Sequence, residues 1–112
     1  MKALIHWTEA AAGGRPSLPT GTRYVAPSRW YPEDGPTWPP ADVWSVYIDF
    51  ETPPANQGNP SIGMVHFPSS EAPHDRLQVG RSFDLYEGAR KVARVELVPD
   101  DPPVNVVLPS AS

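Results

Sequence analysis

The chain has no cysteine, two lysines, and no apolar run near the eighteen or so residues that a membrane-spanning helix needs. Without cysteine there is no disulfide framework, no thiolate metal site and no cysteine nucleophile. A domain of 112 residues must then be held together by its core alone. The opening MKALIHWTEA has one lysine and no apolar stretch before His6, so it does not read as a secretory signal, and a cytoplasmic location is the expectation. Basic charge is also scarce: nine basic against thirteen acidic side chains give a net charge of −4, which disfavours tight, non-specific binding of polyanions. No helical periodicity of ten residues, internal repeat or heptad occurs.

What the chain has in excess is proline. Sixteen prolines are roughly 14% of the residues, against an average near 5%. Proline removes a backbone donor and clashes inside helices, which argues against a mostly helical fold. Disorder throughout is equally disfavoured, because 39% of the residues are hydrophobic and 10% aromatic.

The periodicity is that of strands. From Val43 to Phe50, Trp44, Val46, Ile48 and Phe50 share one face, and Ser45, Tyr47 and Asp49 share the other, the alternation of a half-buried strand. Ala3, Ile5 and Trp7 alternate with Lys2, His6 and Thr8. Phe83 and Leu85 alternate before the turn Glu87-Gly88-Ala89-Arg90, and Ala93, Val95 and Leu97 alternate after it, so Arg81 to Val98 reads as a hairpin. Ile62 to Phe67 carries apolar residues on both faces, which suits a strand buried on both sides or a bulge. Thr22 to Trp30 is a strand that Pro27 confines to an edge, a bulge or a strand end. Six short antiparallel strands predict an all-β fold, a six-stranded antiparallel closed β-barrel, occupying residues 1–99 as one domain. Pro-rich loops lie at 31–42 and 52–60, and a Pro-containing tail at 100–112, where Val104 to Leu108 is a further short strand or a packing segment.

Two motifs near the two ends resemble a known family. Thr8-Glu9-Ala10-Ala11-Ala12-Gly13-Gly14-Arg15-Pro16, followed by Pro19, Gly21, Tyr24 and Pro27, is similar to the start of the C-terminal (third) barrel of elongation factor Tu. Gly80 to Ala93 (GRSFDLYEGARKVA) is similar to that barrel's closing hairpin. The resemblance implies a six-stranded barrel without chemistry of its own, which in the full-length factor helps to hold the T arm of aminoacyl-tRNA and packs against the nucleotide domain and the exchange factor. Gly13, Gly14 and Arg15 match the family's Gly-Gly-Arg loop, and Glu87, Gly88 and Arg90 match its hairpin. The histidine and threonine that follow Gly-Gly-Arg in the family are missing, Tyr86 stands in place of the hairpin arginine, and Ala89 and Ala93 replace glycines. A phosphate loop needs G-x-x-x-x-G-K-[ST], and neither Lys2 nor Lys91 follows a glycine, so GTPase activity is not expected.

Other constellations carry weaker chemistry. His6, His66 and His74 show no spacing typical of a metal site, His66 and His74 with Glu71 and Asp75 being the nearest to one. Ser69 and Ser70 lie near these histidines, but no nucleophile elbow is present. Arg76, Arg81, Arg90, Lys91 and Arg94 gather around the hairpin, with Arg90 and Arg94 expected on the same face of a strand, either as a basic stripe or as a solvated face paired with Asp84, Glu87 and Glu96. Trp30, Tyr31 and Trp38 sit in a proline-rich loop, where large aromatics either anchor an interface or fold back to cap a barrel end. The expectation is a non-enzymatic binding module without a cofactor. Its partner is a protein, of a regulatory or immunity type, met through the Gly13-Gly14-Arg15 loop, the Trp30 to Asp42 loop with Trp30, Tyr31 and Trp38, and the hairpin residues Arg81, Glu87, Gly88, Arg90 and Arg94. The alternative is a tRNA-binding module that uses the hairpin arginines.

Overall fold

A computed structural model describes residues 1–100 of the chain; the predicted strand at Val104 to Leu108 lies outside them. Six strands, β1 (Lys2–Trp7), β2 (Arg23–Trp30), β3 (Trp44–Asp49), β4 (Ser61–His66), β5 (Ser82–Glu87) and β6 (Arg90–Leu97), close into a barrel in the order β1-β4-β3-β2-β5-β6. Every neighbouring pair is antiparallel. Closure leaves no free sheet edge along most of the wall, which a small domain without disulfides needs.

The alternating residues meet as the periodicity predicts. Ala3, Ile5 and Trp7 of β1, Val46 and Ile48 of β3, Phe83 and Leu85 of β5 and Ala93, Val95 and Leu97 of β6 all point into a common core. The β5–β6 hairpin turns on Gly88 and Ala89, and Gly88 has φ of +65°. A positive φ at the first central residue alone is the pattern of a type II′ turn, which glycine adopts without steric cost.

Of three expectations about the strands, two change, and the one for Pro27 is met at a locally unpaired edge. β4 is buried on one side only: Ser61, Gly63, Val65 and the following Phe67 face inward, and Ile62 and Met64 face solvent, 48% and 44% exposed. Its apolar character on both faces reflects a groove on the outer wall, not a second covering layer. Pro27 lies inside β2, opposite Ser45 of β3, and the ladder from β2 to β5 begins only at the next residue, Ser28. Phe50 donates to the Thr22 carbonyl, so the alternation of hydrogen-bonded pairs turns the Pro27 nitrogen away from β3, to the side where no β5 ladder yet exists. Third, a register shift in the hairpin pairs Leu85 with Ala93 but Tyr86 with Lys91, leaving Val92 as a bulge, with Val92 and Ala93 both buried. The bulge puts Lys91 on the outer wall with Arg94 and moves Arg90 to the barrel end, so Arg90 and Arg94 do not share one face.

The 52–60 loop contains a single helical turn, α1 (Pro54–Gln57), with a proline at its start, where a missing N–H costs nothing. No helix among the described residues is long and apolar enough to cross a membrane.

Candidate functional site

The two motifs at opposite ends of the chain meet at one end of the barrel. Glu9 to Gly13 form a 3-10 turn that Gly13 ends with φ of +95°. Gly14 then passes so close to the first strand's exit that a Cβ there would sit 1.9 Å from the Thr8 carbonyl oxygen. Both glycines are therefore required by the backbone itself, and they aim Arg15 across the rim. Its guanidinium donates to the Glu87 carboxylate at the end of β5, which also accepts from the Tyr24 hydroxyl at the start of β2. Arg90 donates to the Gly14 carbonyl at 3.3 Å and lies 3.9 Å from Glu87. Burial works against the Glu87 charge, but the hydrogen bonds from Tyr24 and Arg15 outweigh it and hold the carboxyl below its ordinary value. Burial, and then the neighbouring carboxylate, push the Tyr24 hydroxyl upward, so it remains a donor throughout the physiological range.

The 31–42 loop runs from the opposite end of the barrel, along the outer wall of β2 and β5, to the same rim. Trp38 stacks on Tyr86 with ring centroids 4.3 Å apart, and its indole N–H donates to the Gly88 carbonyl at 3.0 Å. Arg29, on the outer face of β2, lies between Tyr31, Trp38 and Tyr86, 5.1 to 5.8 Å from their ring centroids. It donates to the Tyr86 hydroxyl at 3.0 Å and to the Gly35 carbonyl at 3.1 Å. The loop's first turn is held by Arg81, which grips both Glu33 oxygens at 2.8 Å, and by Asp34, which accepts from the Trp30 backbone N–H. Arg81 holds the Glu33 carboxyl down at about 2, its hydrogen bonds being the largest cause.

Trp30 itself has no surface to offer a partner. It is fully buried, stacked on Phe83 at 4.3 Å with its indole N–H on the Ser28 hydroxyl, and Arg81 lies over its ring. The reason is its parity on β2: an even-numbered neighbour of Ala26 and Ser28 points inward, whereas Tyr31, one residue later, is 50% exposed. Trp30 thus caps the barrel, and of the three loop aromatics Tyr31 and Trp38 remain outside it.

The basic residues are mostly neutralised within the fold. Arg76 lies near Glu33 and Asp34, Arg81 on Glu33, Arg90 near Glu87, and Lys91 3.4 Å from the largely buried Asp84. Arg94 reaches the Ser82 hydroxyl at 3.1 Å. The histidines occupy three separate places, His6 by Glu96, His66 by Asp49 and His74 on the Ser69 carbonyl. Among the described residues no group of three or more His, Asp or Glu side chains is placed to hold a metal ion.

Sequence reasoning missed Arg29 and Glu33, which fix the loop, and it treated Tyr86 only as a departure from the resembled hairpin. Tyr86 is the platform on which Trp38 stacks. The signal for Arg29 was present in the alternation of β2, which sets Arg29 on the same outer face as Tyr31. No protein-family model matches the chain, and neither a curated protein nor a solved structure matches it.

Proposed function

We propose that the protein is a non-enzymatic binding module that engages a protein partner, as a regulatory or immunity-type protein in the cytoplasm, through the rim where the Gly13-Gly14-Arg15 loop, the 31–42 loop and the hairpin turn come together. The observation that carries the reading is this convergence. Two segments far from the hairpin in sequence are tied to the residues around Gly88 by Arg15 on Glu87, Arg90 on Gly14 and Trp38 on the Gly88 carbonyl. Rigid, preorganised loops that hold a half-buried Trp38 on the hairpin turn that carries an exposed Arg90, with an exposed Tyr31 further along the outer wall, have the composition of interface hot spots, because aromatic and arginine side chains contribute contact area at low entropic cost. The resemblance to the elongation factor Tu barrel, a binding domain without chemistry, points the same way.

The tRNA reading is the weaker of the two, since the carboxylates paired with Arg76, Arg81, Arg90 and Lys91 lower the potential that a phosphate would meet. Filter binding to tRNA at low salt separates the readings: the protein-partner reading expects no retention. Salt-dependent retention that Arg90→Glu with Arg94→Glu abolishes would replace it with the RNA reading.

A further inference from the structure

The barrel wall has one seam. The β3–β4 ladder ends at the pair Asp49 and Met64: Phe50 still pairs with Thr22, just before β2, and Glu51, the next residue whose backbone would face β4, lies in the bend beyond the strand. β4 continues for three more residues. Val65 donates to the Met1 carbonyl, so the alternation along the β1–β4 pair aims the N–H and C=O of Ile62 away from β1 and into the seam. Among the described residues no strand meets them. The carboxamide of Gln57, from α1, does: its oxygen accepts from the Ile62 N–H at 2.8 Å, and its nitrogen donates to the Ile62 carbonyl at 2.9 Å. A side-chain amide here makes the donor and acceptor pair that an opposing residue's backbone N–H and C=O would make.

Outside the seam lies an open groove of about 880 Å³, floored by Ile62 and Met64. Its charged lining is three acids, Asp49, Glu51 and Asp100, against one base, Lys2. Asp49 is already paired with Arg23, whereas Glu51 makes no ion pair among the described residues. Beneath the seam Gly63 lacks a Cβ because Ile48 and Phe50 fill that space, 2.7 and 2.8 Å from where it would be. The groove is therefore a surface feature closed off from the core.

We propose that this seam is a second docking site, independent of the rim, that takes an extended peptide segment carrying lysine or arginine side chains between apolar ones. The segment's backbone replaces the Gln57 carboxamide on Ile62, its apolar side chains cover Ile62 and Met64, and its cations face Glu51 and Asp100. Strand addition at an exposed edge uses this division of labour, with main-chain hydrogen bonds for affinity and alternate side chains for selectivity. The occupant's class follows from two features of the groove: a built-in amide already satisfies the edge, and the lining carries an excess of carboxylates.

The test is a titration of the full-length, ¹⁵N-labelled protein with two capped pentapeptides, Lys-Val-Lys-Val-Lys and Glu-Val-Glu-Val-Glu. The lysine peptide is expected to give saturable shifts centred on Ile62, Gly63, Met64 and the Gln57 side-chain amide, and the glutamate peptide at least about tenfold weaker ones. Met64→Lys, at an outward position where the fold tolerates it, should abolish the shifts. Gln57→Ala should tighten binding by freeing the Ile62 edge. Equal response to both peptides, no response from either, or shifts that survive Met64→Lys would overturn the proposal. So would the same residues shifting with protein concentration alone, which would assign the groove to a second copy, or shifting on deletion of residues 101–112 without peptide, which would assign it to the chain itself.

Discussion

At the scale of single residues, neighbours with the same chemistry have opposite roles. Gly13 and Gly14 both sit in the loop matched to the Gly-Gly-Arg motif, but Gly13 needs a positive φ in open space, and Gly14 needs room against Thr8. Gly13→Ala should cost about 1 kcal/mol, the strain of a left-handed alanine. Gly14→Ala should cost about 3 kcal/mol, at the upper end for overpacking, because the backbone it meets cannot rotate away. Urea denaturation of the two variants measures the difference, and a shift in midpoint without a change in slope is expected. The tryptophans divide in the same manner. Trp30→Ala should remove about 3–5 kcal/mol as a buried aromatic truncation. Trp38→Ala, which loses a stacked contact on the outer wall, should cost about 1 kcal/mol.

At the scale of elements, the 31–42 loop is held by charge at its start and by stacking at its end. Glu33 is depressed from 4.5 to about 2 by Arg81. A carboxyl with a lowered folded pKa contributes stability that is fully present above its unfolded value and is lost as the pH falls through the folded one. The tie between the loop and β5 should accordingly weaken from about pH 4.5 down to about pH 2. The Trp38 indole N–H resonance reports it, moving toward its unstructured position over that window. In Glu33→Gln the resonance should start nearer that position and lose most of its pH dependence. The seam element has its own test: Gly63→Ala forces Ile48 and Phe50 to move, and should destabilise the barrel by about 2 kcal/mol.

The strands were legible in the sequence because a barrel buries one face of each, and a period of two survives in β1, β3, β5 and β6. The bulge at Val92 was not, since it leaves the alternation locally intact on either side and only changes which basic residue, Lys91 or Arg90, faces outward. Trp30 both closes the predicted strand Thr22 to Trp30 and opens the proline-rich loop, and its parity with Ala26 and Ser28 marks it as core. The contacts Arg15–Glu87 and Trp38–Tyr86 join residues 72 and 48 positions apart, which no local pattern encodes. Gln57 was invisible for another reason: its function depends on where β3 leaves the sheet, and that is set by register.

At the scale of the whole molecule, the prolines among the described residues, Pro27 of β2 apart, belong to the connections and not to the wall. The barrel is a plain scaffold, and the stiff 31–42 loop, the Gly-Gly-Arg loop and the hairpin turn are brought to one rim by ionic and aromatic contacts. Loops rigidified by proline lose less freedom on binding than flexible ones, which is the physical advantage of placing an interface there. The central claim is that this rim binds a protein. Its most direct test is quantitative affinity capture from native cell extract with the wild-type chain, Trp38→Ala, Arg90→Glu and the seam variant Met64→Lys, followed by titration calorimetry with the purified partner. The account predicts a protein retained by the wild type and by Met64→Lys and weakened at least tenfold, roughly 1.4 kcal/mol or more, by Trp38→Ala and by Arg90→Glu. Equal binding by all four chains, or capture of nucleic acid in place of protein, would contradict it.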